Sequence, residues 1–161
     1  MREVCLGAAP APKKPNRNPY DAFVAIAHAT PRPSMGGGAV VMEDGDTPGR
    51  GYHFRQSWIR HKLKASPAPL RIMGVEGDSM EPTLLGGDAV LVDMTRQLPH
   101  PPGIFVLDDG TGLVAKRPVH IPNSDPPTVR LISDNKLYPA YKRTAEDIRI
   151  IGRIRWFARD I

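Results

Sequence analysis

VEGDSMEPTLLGGDAVLVD, residues 75–93, is the stretch whose reading decides the fold of this chain. Its end, DAVLVD (88–93), is a short apolar run rich in β-formers and reads as a strand. The run LRIMGV (70–75) before it reads the same way. Between the two the chain must turn. Gly77 relaxes the backbone ahead of Ser79, Pro82 fixes the turn behind it, and Gly86 with Gly87 permits a second reversal into the next strand. A serine held on such a turn presents its hydroxyl to a cleft while its backbone N–H points into the same space. Acyl transfer needs that pairing of a nucleophile with an oxyanion donor.

A serine nucleophile needs a base. His28, His53, His61, His100 and His120 are available by type, but none lies in a local pattern that ties it to Ser79. Lys116 stands in GLVAKRP, behind Leu113, Val114 and Ala115. A lysine buried against aliphatic side chains loses the solvation of its charge, its pKa falls, and the neutral amine accepts a proton near physiological pH. Arg117 is excluded from that role, because guanidinium does not deprotonate in proteins. On residue types alone the pair is weak evidence, since a turn serine and a strand lysine occur in nearly every protein.

Working outward, the pattern on both sides is β. Strands are expected at 103–108 (GIFVLD), 112–119 (GLVAKRPV), 128–133 (TVRLIS) and 147–156 (DIRIIGRIRW), with DDGTG (108–112) as a hairpin turn. In the last strand Ile148, Ile150, Ile154 and Trp156 alternate with Arg149, Arg153 and Arg155, which predicts a buried face and a wet one. Upstream, 21–29 (DAFVAIAHA) and 39–46 (AVVMEDGD) read as short strands separated by TPRPSMGGG. Residues 52–63 are the best helix candidate, with Phe54, Trp58 and Leu63 sharing a face. Residues 1–20, rich in Pro, Ala and basic residues, read as a flexible arm or inter-domain linker ahead of one domain over 21–161. Within that domain 21–69 is the expected cleavage-loop region and 70–161 the catalytic core.

Composition bounds the rest. The chain has 161 residues, 18 prolines and 15 glycines, which disfavours long helices. Its net charge of +5 permits an acidic partner without demanding one. The lone Cys5 excludes an internal disulfide and offers no metal pattern, and no cofactor is expected. No apolar run approaches the ~20 residues of a membrane span, and residues 1–15 lack a secretory core, so a soluble cytoplasmic protein is expected.

The motif at 75–93 resembles the LexA-like, phage-repressor-type family of Ser–Lys self-cleaving peptidases. The matching residues are Val75, Gly77, Asp78, Ser79, Met80, Pro82, Thr83, Leu84, Gly87, Asp88, Val90, Val92 and Asp93. Val114, Lys116 and Arg117 match the lysine strand. Ser133, Asp134, Asn135 and Tyr138 match a later turn, and Ile151, Gly152 and Arg153 the closing strand. The resemblance implies a mainly β, β-clip fold of short twisted strands with one short helix, like that of LexA and the signal peptidases. It implies Ser79 as nucleophile, Lys116 as base, and the backbone N–H groups of Ser79 and Asp78 as oxyanion donors. The bond cut in such proteins is upstream, usually Ala-Gly or Cys-Gly, and the corresponding segment is Ser34-Met35-Gly36-Gly37-Gly38. Met35-Gly36 is then the scissile bond, and Met35 departs from the small residue expected there. Asp134 and Asn135 are expected to cap a turn. Implied partners are a second copy of the chain and a RecA-type recombinase filament that stimulates cleavage. DNA would be reached only through a helix-turn-helix domain, which this sequence does not contain.

Four functions are compatible with these residues. The first is the regulatory domain of a LexA-like or phage-type repressor that cuts itself near Met35-Gly36. The second is a non-cleaving dimerisation and sensing module on the same fold, which Met35 favours. The third is an accessory protein of a translesion polymerase, activated by loss of its arm. The fourth, a signal peptidase, shares SMEPTL but normally carries a membrane anchor.

Overall fold

The computed structural model describes residues 23–32, 41–44 and 51–161. The expected arm at 1–20 and the Met35-Gly36 bond lie outside the described residues. Among those described, the chain is mainly β, with one seven-stranded sheet, two two-stranded sheets and one short helical segment.

The large sheet is built from β5 (Leu70–Gly74), β6 (Ala89–Asp93), β7 (Phe105–Asp108), β8 (Leu113–Ile121), β9 (Thr128–Ile132), β10 (Tyr141–Thr144) and β11 (Arg149–Ala158). The order across it is β10-β9-β8-β7-β11-β6-β5, and every neighbouring pair is antiparallel. The strand β11 therefore comes from the end of the sequence to lie between β7 and β6. The smaller sheets pair β1 (Phe23–Ile26) with β4 (Tyr52–Arg55) and β2 (Ala29–Arg32) with β3 (Val41–Asp44). They are tied to the β5 edge where His28 bridges Ile72 in parallel and the Ile72 N–H donates to the Ala27 carbonyl (3.0 Å).

The unbroken apolar runs at β5 and β6 follow from burial on both faces. Val90 and Val92 enter a core with Met73, Met80, Leu84, Val106 and Ile151, whereas Leu91 enters a second with Ile26, Ile59, Leu63, Leu70 and Ile72. Each such side chain contributes about 1.5–3 kcal/mol on burial. At β9 only one face is covered, so the strand alternates: Val129 and Leu131 are buried while Arg130 is exposed.

Two expectations are corrected here. The helix expected over 52–63 is instead β4, a three-residue helix Gln56–Trp58 and a π-helical turn Ile59–Leu63. The strand part arises because Val24, Ala25 and Ile26 supply a pairing partner for Phe54, His53 and Tyr52. The alternation expected in β11 is broken by register shifts between Ile150 and Gly152 and between Ile154 and Trp156. Ile151 is thereby turned into the core. Arg153 and Arg155 are half-buried rather than a wet face. Arg155 donates to the Leu63 carbonyl (2.9 Å) and pairs with buried Asp93 (3.4 Å). Arg153 donates to the Pro102 carbonyl (2.9 Å).

Candidate active site

The hinge of the site is the turn between β5 and β6. It opens with two backbone bonds, Val75 N–H to Asp88 C=O (2.8 Å) and Gly87 N–H to Val75 C=O (2.9 Å), which bring its two stems together. Gly77 takes the left-handed conformation (φ +76°), and a Cβ on Gly86 would stand 3.2 Å from the Gly77 carbonyl oxygen. The crossing of the two stems needs glycine on that account. Beyond it the chain coils tightly, with Glu81 N–H donating to Asp78 C=O (3.0 Å) and Leu84 N–H to Met80 C=O (3.0 Å). Met80 and Leu84 anchor this coil in the core, and Ser79 between them and the turn stays half-exposed. The side chain of buried Asp88 closes the turn by accepting from Leu85 N–H (2.8 Å) and from both ends of the Arg159 guanidinium (2.8 and 2.7 Å). That guanidinium holds the Asp88 carboxyl below its ordinary pKa.

Lys116 lies on β8, opposite Phe105 of β7. It is only 5% exposed, yet its Nζ stands 2.9 Å from Ser79 Oγ and 2.9 Å from Ser133 Oγ. Neither contact is a carboxylate. Burial pulls the Lys116 pKa below the ordinary lysine value, and the charge of Asp109 opposes that shift. A neutral amine in this position has a lone pair for the Ser79 hydroxyl proton and an N–H for Ser133. The five histidines are placed otherwise. His53 and His61 bond to nearby carbonyls, His28 bridges to β5, and His100 and His120 are exposed.

Sequence reasoning gives Ser133 no role, although its signal is present. It continues the buried positions Val129 and Leu131 of β9, so a hydroxyl occurs where the pattern calls for an apolar side chain. Asp134 and Asn135 do more than cap a turn. Asn135 Oδ1 does accept from Leu137 N–H (3.0 Å), as a turn cap would. Its Nδ2 also donates to the Asp78 carbonyl (3.0 Å), and its backbone N–H to the Ser79 carbonyl (3.1 Å). Asp134 takes a bidentate bond from Arg117 (2.6 and 2.9 Å) and a bond from the Thr83 hydroxyl (2.6 Å). Arg117 holds the Asp134 carboxyl below its ordinary pKa. The Tyr138 hydroxyl donates to Asp78 (2.5 Å), and its ring centre lies 5.7 Å from Lys116 Nζ.

Three separate segments thus meet here: the turn with Asp78 and Ser79, β8 with Lys116, and residues 133–138. Among the described residues neither the Asp78 nor the Ser79 N–H donates a hydrogen bond, so both are available to an oxyanion. Among the same residues no three His, Cys, Asp or Glu side chains converge as a metal site. No helix there is long and apolar enough to cross a membrane.

A family model described as Peptidase S24-like matches residues 30–155. The chain belongs to the Peptidase S24-like family. That family is one of self-cleaving serine peptidases, with LexA and the C-terminal domains of phage repressors among its members. No curated protein matches the chain.

Proposed function

We propose that this S24-like chain is the regulatory domain of a LexA-like or phage-type repressor, cutting itself at Met35-Gly36 with Ser79 as nucleophile and Lys116 as base. The observation that supports it most is the Lys116 amine, 5% exposed and 2.9 Å from the Ser79 hydroxyl, with no acid bonded to it among the described residues. In the reaction the neutral amine takes the Ser79 proton as Oγ attacks the Met35 carbonyl carbon. The Ser79 and Asp78 N–H groups stabilise the resulting oxyanion. The carbon–nitrogen bond then breaks, Lys116 returns the proton to the Gly36 nitrogen, and water hydrolyses the ester to free the Met35 carboxylate.

The course of β2 favours cleavage within one chain. His28 pairs with Ile72 in parallel, so β2 and β5 run the same way, β5 toward the Ser79 turn. Arg32, the last residue of β2, stands only three residues before Met35. A span of that length reaches about 10 Å when extended.

The test is incubation of the purified chain at alkaline pH, with mass spectrometry of the products. The expected result is a cut after residue 35 that Ser79→Ala and Lys116→Ala both abolish. An intact wild-type chain under all conditions, activated recombinase included, would leave the non-cleaving sensing module as the function. The bulk of Met35 at the scissile position is what favours that second reading. The first reading also includes a homodimer, a stimulating RecA-type filament and a cytoplasmic location. Sedimentation, and cleavage rates with and without the filament, test the first two.

A further inference from the structure

We infer that Asn135 is a positioning residue for the nucleophile, fixing both the direction of the Ser79 N–H and the aim of the Ser79 hydroxyl. The inference rests on the Ser79–Lys116 reading above. Its basis is that one residue holds the two peptide groups on either side of Ser79. The Asn135 side chain donates Nδ2–H to the Asp78 carbonyl (3.0 Å), and its backbone N–H donates to the Ser79 carbonyl (3.1 Å).

A trans peptide is planar, with its C=O and N–H pointing in opposite directions. Holding the Asp78 carbonyl therefore aims the Ser79 N–H the other way. Holding the Ser79 carbonyl fixes the next plane as well. With both planes fixed, φ and ψ of Ser79 are fixed, and so is the direction of its Cα–Cβ bond. Glu81 N–H also donates to the Asp78 carbonyl (3.0 Å), but it belongs to the same coil and moves with it. Asn135 holds the coil from outside.

Asn135 is itself tied to the base. Ser133 contacts Lys116 Nζ, and Asp134 grips Arg117, the next residue along β8. The tripeptide 133–135 is thus a spacer with the base at one end and the nucleophile's peptide planes at the other. Catalytic groups must hold such a geometry within fractions of an ångström, which flexible coils do not achieve alone. Asn135 touches neither Lys116 nor a reacting atom, so its removal changes the rate at saturating alkalinity and leaves the protonation of the base alone.

The test uses the full chain and Asn135→Ser. Serine keeps a turn-capping oxygen, adds no charge, and is too short to reach the Asp78 carbonyl. Two rates are followed against pH: self-cleavage, and labelling of Ser79 by a fluorophosphonate, which builds negative charge in the same oxyanion site. The expected result is a plateau lowered about 10–100-fold in both, below the ~10²–10³ cost of deleting an oxyanion donor outright. The pH midpoint stays in place, and the Ser79 amide ¹⁵N resonance moves upfield as its carbonyl partner is lost. Equal labelling of variant and wild type overturns the inference and leaves the dyad standing. A shifted midpoint also overturns it, because Asn135 then acts through Lys116. Labelling without self-cleavage in the wild type defeats the proposed cleavage only, and the labelling rates still decide on Asn135. No labelling of the wild type defeats both. Asn135→Ala is the second variant, and loss of a cooperative melt in both makes the role structural and overturns the inference.

Discussion

Replacing Lys116 by methionine should stabilise the fold at neutral pH and destabilise it in strong alkali. The ammonium is 5% exposed and has two hydroxyls at 2.9 Å as its hydrogen-bond partners. Burial lowers its pKa, so the unfolded chain binds this proton more tightly than the folded one. Stability therefore rises with pH between the folded pKa and the unfolded value of about 10.4. The penalty is fully present below that window and gone above it. Replacing buried charges with apolar groups of similar volume stabilises by about 1–4 kcal/mol in favourable cases. Against this, the buried Ser133 hydroxyl loses a bond worth about 1 kcal/mol. The net gain at pH 7 is then about 0–3 kcal/mol, or ~2–4 °C in Tm for each kcal/mol in a chain of this size. Above pH ~10.5 only the lost bond remains, and the variant should be the weaker by about 1 kcal/mol. Both chains carry Ser79→Ala so that no cut intervenes, and urea melts are taken from pH 7 to 11. A stability difference that does not change with pH would refute the reasoning, because Lys116 would then not be a buried base.

Gly152 sits where β11 crosses β6, and a Cβ there would lie 2.7 Å from the Asp93 carbonyl oxygen and 2.8 Å from Val92 Cγ1. Gly152→Ala should cost about 1–3 kcal/mol by thermal melting, because backbone cannot give way as a flexible side chain does. Arg159→Met leaves the Asp88 carboxylate with the Leu85 N–H and should lower the thermal midpoint at pH 7. The Asp88 pKa is depressed in the fold, so the stability of this pair is present above the ordinary carboxylate range. It is lost as pH falls through the folded pKa, and wild type and Arg159→Met should converge in acid melts.

The residues themselves determined the turn that carries Ser79. Glycines at 77, 86 and 87 and a proline at 82 between two apolar runs specify a reversal, and each acts locally. The strands β5 to β9 and β11 were legible for the same reason, since apolar runs and turn signals depend on near neighbours. The two bulges in β11 were not, because the register is set by β6 and β7, which lie far away in the chain. The strand at 52–55 hid inside a helical pattern until its partner at 23–26 was in place. At the site, the sequence alone determined which residues have the chemistry to act: a serine on a turn and a lysine among aliphatics. Only the tertiary structure decided that Nζ stands within 2.9 Å of Oγ, with Ser133 beside it and Asn135 holding the turn. Each of those distances joins segments that meet only when the sheet closes, and no local pattern records them.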